Sequence, residues 1–191
     1  MIPIIAFSGS SQTGKTTLGR RLAEHCHCKF VSFGDYVRQQ ARNRGIVNPS
    51  REDLQNLGQQ LIETSALDFC RAVLETAHFL SGERLVVDGV RHAEALNAIS
   101  TISGCQPIKL IYLHAPMEVR ESRELDRNRR GTLDEIDAHP VEGQTKHEIK
   151  QLADLVVDAG GGVEESFSII LNWLSHECPE LLPSQPFRTS S

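Results

Sequence analysis

The chain has 191 residues, enough for one compact domain of ordinary size and too few for two full ones. Its 39% hydrophobic, 24% charged and 5% aromatic content excludes a disordered chain, a collagen-like repeat and a protein of many membrane spans. Twenty Lys and Arg against 25 Asp and Glu leave a net charge of −5, which argues against sequence-independent binding of DNA or RNA, so any anion site has to be local.

Residues 2–7 are an apolar run bounded by Gly9, the pattern of a strand buried on both faces in a parallel sheet. The run has no basic segment before it and is far shorter than a signal h-region or a membrane span. Five cysteines, an odd number scattered over the chain, do not make a disulfide framework. A protein of the reduced cytoplasm, without a membrane partner, is expected.

Directly after this strand comes Gly9-Ser10-Ser11-Gln12-Thr13-Gly14-Lys15-Thr16, which matches G-x-x-x-x-G-K-[ST] and runs into a stretch of helical spacing. The mechanism needs that context. Glycines let the backbone curl so that successive N–H groups face phosphate oxygens, and the helix N-terminus adds positive dipole. Lys15 is placed to reach the β and γ oxygens and the Thr16 hydroxyl to ligate Mg²⁺, so residues 9–17, with Thr17 at the end, are assigned to ATP.

His25-Cys26-His27-Cys28 alternates soft ligands without a second distant pair, and is assigned to a helix end and a strand entry instead of zinc. A second strand is expected at 29–33. It runs into Ser32-Phe33-Gly34-Asp35-Tyr36-Val37-Arg38, where Asp35 is open to three roles: helix cap, neighbour of the metal, or base for a hydroxyl acceptor. Arg38, a turn later, either faces the same cleft or is a solvated helix arginine.

Ser50 and Asp53 form a capping-box pair after Pro49. Leu54, Leu57, Leu61, Cys70, Val73, Ala77 and Leu80 come next at helical spacing up to Gly82, a length that Gly58 or Ser65 is expected to divide. This stretch is predicted to form an arm beside the sheet. A third strand at 84–88 ends in Asp88, which either joins the Mg²⁺ shell or caps the next helix, and Arg91 comes three residues later within reach of a phosphate.

A fourth strand is expected at 108–114, then a helix opening at Pro116 with Arg120, Arg123, Arg127 and Arg130 on one face. Two readings stand for this stripe. It is a solvent face in which Arg120 and Glu124 pair at i,i+4, or it neutralises a transferring phosphoryl group, with Arg123 and Arg127 in that role. Residues 131–143, polar and rich in breakers, are predicted to be a lid, and residues 154–158 a fifth strand. Proline and hydroxyl residues from 177 onward predict a loosely held tail over 177–191.

Together these motifs resemble the P-loop nucleoside and nucleotide kinase group, which includes adenylate kinase and dephospho-CoA kinase, over roughly residues 2–172. Ser32 to Arg38 is similar to an adenylate kinase segment whose arginine binds the acceptor phosphate, which implies that role for Arg38. Asp88-Gly89-Val90-Arg91 looks like the group's D-G-F-P-R without its proline, and implies an acceptor-phosphate contact for Arg91. Ala153 to Asp158 resembles the dephospho-CoA kinase pattern that precedes the loop holding adenine, here Ala159-Gly160-Gly161-Gly162.

The expected architecture is therefore an α/β P-loop NTPase three-layer fold: a five-stranded parallel sheet with helices on both faces and a short lid. One domain is expected over 1–176, with an acceptor-side helical region at about 34–82 and a lid region at about 120–146. The expected activity is transfer of the γ-phosphoryl group of ATP, with Mg²⁺, to a small-molecule acceptor, chiefly a nucleoside monophosphate. The alternatives are a hydroxyl of a coenzyme or metabolite, and a nucleotide-binding regulator with slow hydrolysis.

Overall fold

The computed structural model describes residues 1–125 and 145–183. Five strands, β1 (Ile4–Gly9), β2 (Lys29–Ser32), β3 (Leu85–Asp88), β4 (Ile108–His114) and β5 (Leu155–Asp158), pair in parallel in the order β2-β3-β1-β4-β5. Among the described residues, six α-helices accompany them: α1 (Lys15–Cys26), α2 (Phe33–Asn43), α3 (Arg51–Glu75), α4 (Ala93–Ile102), α5 (Met117–Leu125) and α6 (Val163–Glu177). The expected fold class is the observed one, and β1 occupies its centre.

Strand alternation divides the core into two layers. Ile4 and Ala6 of β1 face one layer with Leu85, Val87, Leu110 and Tyr112, covered by α2, α3 and α4. Ile5 and Phe7 face the other with Val86, Ile111 and Leu113, covered by α1 and α6. Both faces of β1 are thus apolar because both are covered, which is why its sequence shows no polar alternation.

The α3 stretch divides at Ser65, one of the two positions expected to break it, and packs into the first core layer. The backbone there is extended (φ −165°), and the Ser65 hydroxyl accepts from Asp68 N at 3.2 Å, capping the second half as Ser50 and Asp53 cap the first. Leu57 and Ile62 before the bend and Phe69, Cys70, Val73 and Leu74 after it are buried in the first layer. Leu80, expected on the apolar stripe, lies beyond the helix and is 68% exposed. Cys70 is a core residue, and burial pushes its thiol up to about 12.

The tail also departs from expectation at its start. Cys178 and Leu181 are buried in the second layer, and Arg84 donates to the carbonyls of Glu180 (2.8 Å), Cys26 (3.2 Å) and Leu181 (3.4 Å). Proline ends α6 here without ending the packing, because a short 3₁₀ turn, Pro179–Leu181, carries Leu181 back to the core. Residues 184–191, and the predicted lid at 131–143, lie outside the described residues. At the far end of α1 the expected junction is present: the helix stops at Cys26, His27 takes the left-handed C-cap (φ 53°), and β2 begins at Lys29.

Candidate active site

The C-terminal ends of β1, β2 and β3 lie side by side, and the loops leaving them form the site. β1 delivers the phosphate loop. Gly9 (φ 130°) has no substitute there, since a Cβ would stand 1.9 Å from the Leu113 carbonyl oxygen. Gly14 (φ 85°) is the N-cap of α1 and turns the chain into that helix. Between them the loop is buried from Ser10 to Thr13 and held from within: Thr13 Oγ1 donates to the Ser10 carbonyl at 2.9 Å and Lys15 Nζ to the same carbonyl at 2.5 Å.

Asp88, 3% exposed at the end of β3, faces the start of α1. Its Oδ2 accepts from Thr16 Oγ1 at 2.7 Å and from Ser32 Oγ at 3.2 Å, while its Oδ1 is buried without a hydrogen-bond partner among the described residues. A buried carboxylate oxygen left unsatisfied is costly, about 1–3 kcal/mol or more for a charged group, unless a ligand completes it. The helix-cap alternative for Asp88 is excluded, because the N-cap of α4 is His92. The residues present therefore fit an Mg²⁺ site shared with nucleotide phosphates. No group of three or more His, Cys, Asp or Glu among the described residues forms a cage that would hold a metal by protein alone.

Asp35 is not the cap of α2 either. Ser32 caps that helix by accepting from Asp35 N at 3.3 Å, so the Asp35 carboxylate is left to two guanidiniums, Arg38 at 2.6 Å and Arg20 at 2.9 Å. Arg38 is half-exposed and lines a cavity of about 970 Å³ enclosed by α2, α3 and the loop after β3. Arg91 lines the same cavity from the β3 side, so the structure brings together the two arginines assigned to the acceptor. Arg51, Gln55 and Gln59 of α3 and Glu124 of α5 add to its polar lining, and Phe33, Phe69 and Ile62 to its apolar one.

His92 lines this cavity as well, 8% exposed, with its Nε2 2.8 Å from Gln59 Oε1. An amide oxygen only accepts, so the His92 ring donates there, and Gln59 in turn donates through Nε2 to Glu63 at 2.6 Å. Burial lowers the His92 pKa; neighbouring Glu94 opposes this and Arg91 adds to it. Sequence reasoning does not find His92, Gln55 or Gln59, because isolated polar residues on a helix and a loop carry no spacing that points to a common cavity.

At the phosphate loop, α5 turns Arg120 and Arg123 of its arginine stripe inward. Arg120 is 4% exposed and donates from Nε to the Ser11 carbonyl at 2.8 Å. Arg123 donates to the Gln12 carbonyl at 3.2 Å and the Ala159 carbonyl at 2.8 Å, and Glu124, 8% exposed, accepts from the Gln12 side chain. The solvent-face alternative for this part of the stripe is excluded. The 3-4 spacing correctly places Arg120, Arg123 and Glu124 on one face, yet spacing alone does not say which way a charged face turns. Arg123 also lines a smaller cavity of about 240 Å³ with Thr17, Leu18, Ala159, Gly162 and Val163, on the far side of the loop from Arg38. Arg127 and Arg130 lie outside the described residues.

Residues 8–139 match the family described as AAA domain. A UPF0200 protein of Methanosarcina acetivorans is 30% identical over 72% of this chain and 72% of its own length. A cytidylate kinase of Desulfurococcus amylolyticus is 30% identical over 65% of this chain and 60% of its own. Among solved structures, shikimate kinase of Aquifex aeolicus superposes with a TM-score of 0.58 over 90% of this chain and 96% of that one, at 21% identity.

Proposed function

This chain belongs to the AAA domain family as a P-loop kinase, and we propose that it moves the γ-phosphoryl group of ATP to the phosphate of a nucleoside monophosphate. The observation that carries this reading is the shared cavity: Arg38 from α2 and Arg91 from the β3 loop line one space beside Asp88 and the start of α1. Two guanidiniums converging there suit an acceptor that arrives as an anion. The similarity of the archaeal cytidylate kinases supports the same acceptor class.

In this reading Lys15 exchanges its bond to the Ser10 carbonyl for phosphate oxygens of the donor, and the loop amides hold those oxygens in place. Thr16 and Asp88 hold Mg²⁺, which when bound neutralises charge on the β and γ oxygens. Ala159 to Val163 and Arg123 take the nucleoside end of ATP, on the side of the smaller cavity. Arg127, four residues after Arg123, keeps the role of neutralising the transferring group. Positioning and charge neutralisation supply the rate, since the acceptor phosphate attacks with its own oxygen and needs no base.

Arg38 reaches the acceptor by leaving Asp35. An ion pair as exposed as this one is worth roughly 0–1 kcal/mol, so it does little to oppose the exchange. The same pairing weighs against Asp35 as base for a hydroxyl acceptor, because two guanidiniums already hold the carboxylate.

The test is a panel measured by ADP release with ATP and Mg²⁺: the common nucleoside monophosphates, dephospho-CoA, shikimate and gluconate. The expected result is release stimulated by at least one monophosphate. Stimulation confined to hydroxyl acceptors, or slow release indifferent to every acceptor, contradicts the reading and favours a hydroxyl kinase or a nucleotide-binding regulator respectively.

A further inference from the structure

Gln12 has a left-handed backbone (φ 59°) although it is not glycine, and it sits in the middle of the phosphate loop. A residue with a side chain in this region is strained unless its surroundings hold it there. Three residues of one α5 face supply that hold. Arg120 takes the Ser11 carbonyl, Arg123 takes the Gln12 carbonyl, and Glu124 accepts from the Gln12 side-chain amide.

Peptide geometry carries this hold to the amides. In a trans peptide the C=O of one residue and the N–H of the next point in opposite directions. Fixing the Ser11 carbonyl on Arg120 therefore turns the Gln12 N–H away from α5, and fixing the Gln12 carbonyl on Arg123 does the same for the Thr13 N–H. Those are amides of the loop that takes the phosphates, and successive amides turned to one side across a left-handed residue make an anion-binding concavity. Arg120 and Glu124 are themselves almost fully buried, so neither meets a substrate phosphate in solvent.

We propose that Arg120 and Glu124 are positioning residues for the phosphate loop: by clamping Ser11 and Gln12 from outside, they set the loop amides for a nucleotide phosphate before it binds. The inference rests on the reading of residues 9–17 as the ATP site and deepens it. It makes ATP affinity a property of α5 as well as of the loop. It also accounts for two opposite charges buried four residues apart on a helix that the phosphate loop alone would not require. Glu124 touches the acceptor cavity as well, so the clamp stands between the two substrates.

The experiment reads the dissociation constant of Mg·ATP by titration calorimetry, with thermal melting on the same samples and ADP release with the best acceptor. Arg120→Met and Glu124→Leu remove the two bonds while keeping buried volume. Glu124→Gln keeps an acceptor oxygen for Gln12. Gln12→Leu asks the same question from the loop side without changing a residue of α5, and Gln12→Gly adopts the left-handed backbone with no side-chain tie.

Losing one hydrogen bond to a charged group predicts about a tenfold or greater rise in the Mg·ATP dissociation constant for Arg120→Met, Glu124→Leu and Gln12→Leu. Acceptor KM is expected to stay within about twofold for Arg120→Met, and Glu124→Gln is expected to bind Mg·ATP within about threefold of wild type. In the Gln12→Gly background, Glu124→Leu is expected to change affinity by less than about twofold, since the bond it breaks is already gone. Equal losses in both backgrounds, or folded variants that bind Mg·ATP like wild type, overturn the proposal and leave α5 as packing. If the α5 variants do not fold, Gln12→Leu decides: tenfold weaker binding supports the clamp and unchanged binding overturns it. The functional reading is judged separately on the wild-type protein, because a chain that binds Mg·ATP and transfers nothing to a monophosphate refutes that reading while the affinities still judge the clamp.

Discussion

The two sides of the cleft, assigned to donor and acceptor in the proposed function, are built by different means. On the donor side the functional groups are backbone amides of one contiguous loop, buried from Ser10 to Thr13 and clamped by α1, α5 and their own side chains. On the acceptor side they are side chains from separated segments around a cavity of about 970 Å³, and one of them, Arg38, is half-exposed and tied to Asp35. A preset donor site and an adjustable acceptor site divide the work: charge stabilisation needs fixed dipoles, whereas recognition of one acceptor among many depends on cavity shape.

The contrast breaks most clearly at Lys15. Lys15→Met is expected to lower phosphoryl transfer about 10²-fold or more with the melting temperature kept, because one preorganised charge is lost from the donor side. Retained turnover in the folded variant would mean that the loop does not hold the transferring group. Asp88→Asn is expected to raise the Mg²⁺ concentration for half-maximal activity by about tenfold, the size of one charge-assisted contact. An unchanged requirement removes Asp88 from the metal site.

On the acceptor side, Arg38→Ala and Arg91→Ala are expected to raise acceptor KM by about ten- to a hundredfold, with the Mg·ATP dissociation constant unchanged. Asp35→Asn is the control that sharpens this, with an expected change in kcat below about threefold. Collapse of kcat in Asp35→Asn with both arginine variants near wild type would replace the phosphate acceptor by a hydroxyl one, since a general base contributes about 10²–10⁴.

The smallest expected effect concerns pH. His92 has a folded pKa below its ordinary value of 6.5, chiefly through burial, so the unfolded chain binds the proton more readily. Stability is then fully present above about pH 6.5 and declines as pH falls towards the folded value, reaching a plateau below it. His92→Gln should flatten that part of the melting-temperature profile between pH 7 and 5. An unchanged slope would show that His92 is not held neutral by the cavity wall.

Legibility in the sequence divides along the same line. The phosphate loop is a local device, so its strand, glycines, Lys15 and Thr16 are readable as one string, and the five strands are readable because parallel strands covered on both faces are plain apolar runs. Arg38 and Arg91 are legible from their places a few residues beyond strand ends. The clamp on α5 is not, because burying Arg120 and Glu124 depends on loop groups more than a hundred residues away. The break at Ser65 is legible from the length of the α3 run, but the burial of Ile62, Phe69 and Leu74 is not, and Leu80 is misplaced because the helix ends at Glu75 before reaching it.

The most direct test of the account tracks the phosphoryl group itself. The protein is incubated with Mg²⁺, ATP labelled in its γ-phosphoryl group and each unlabelled nucleoside monophosphate in turn, and the labelled product is identified. The account predicts label in the β position of a nucleoside diphosphate, formed by wild type and not by Lys15→Met. Label found only in orthophosphate, or on the hydroxyl of another metabolite supplied as acceptor, contradicts it.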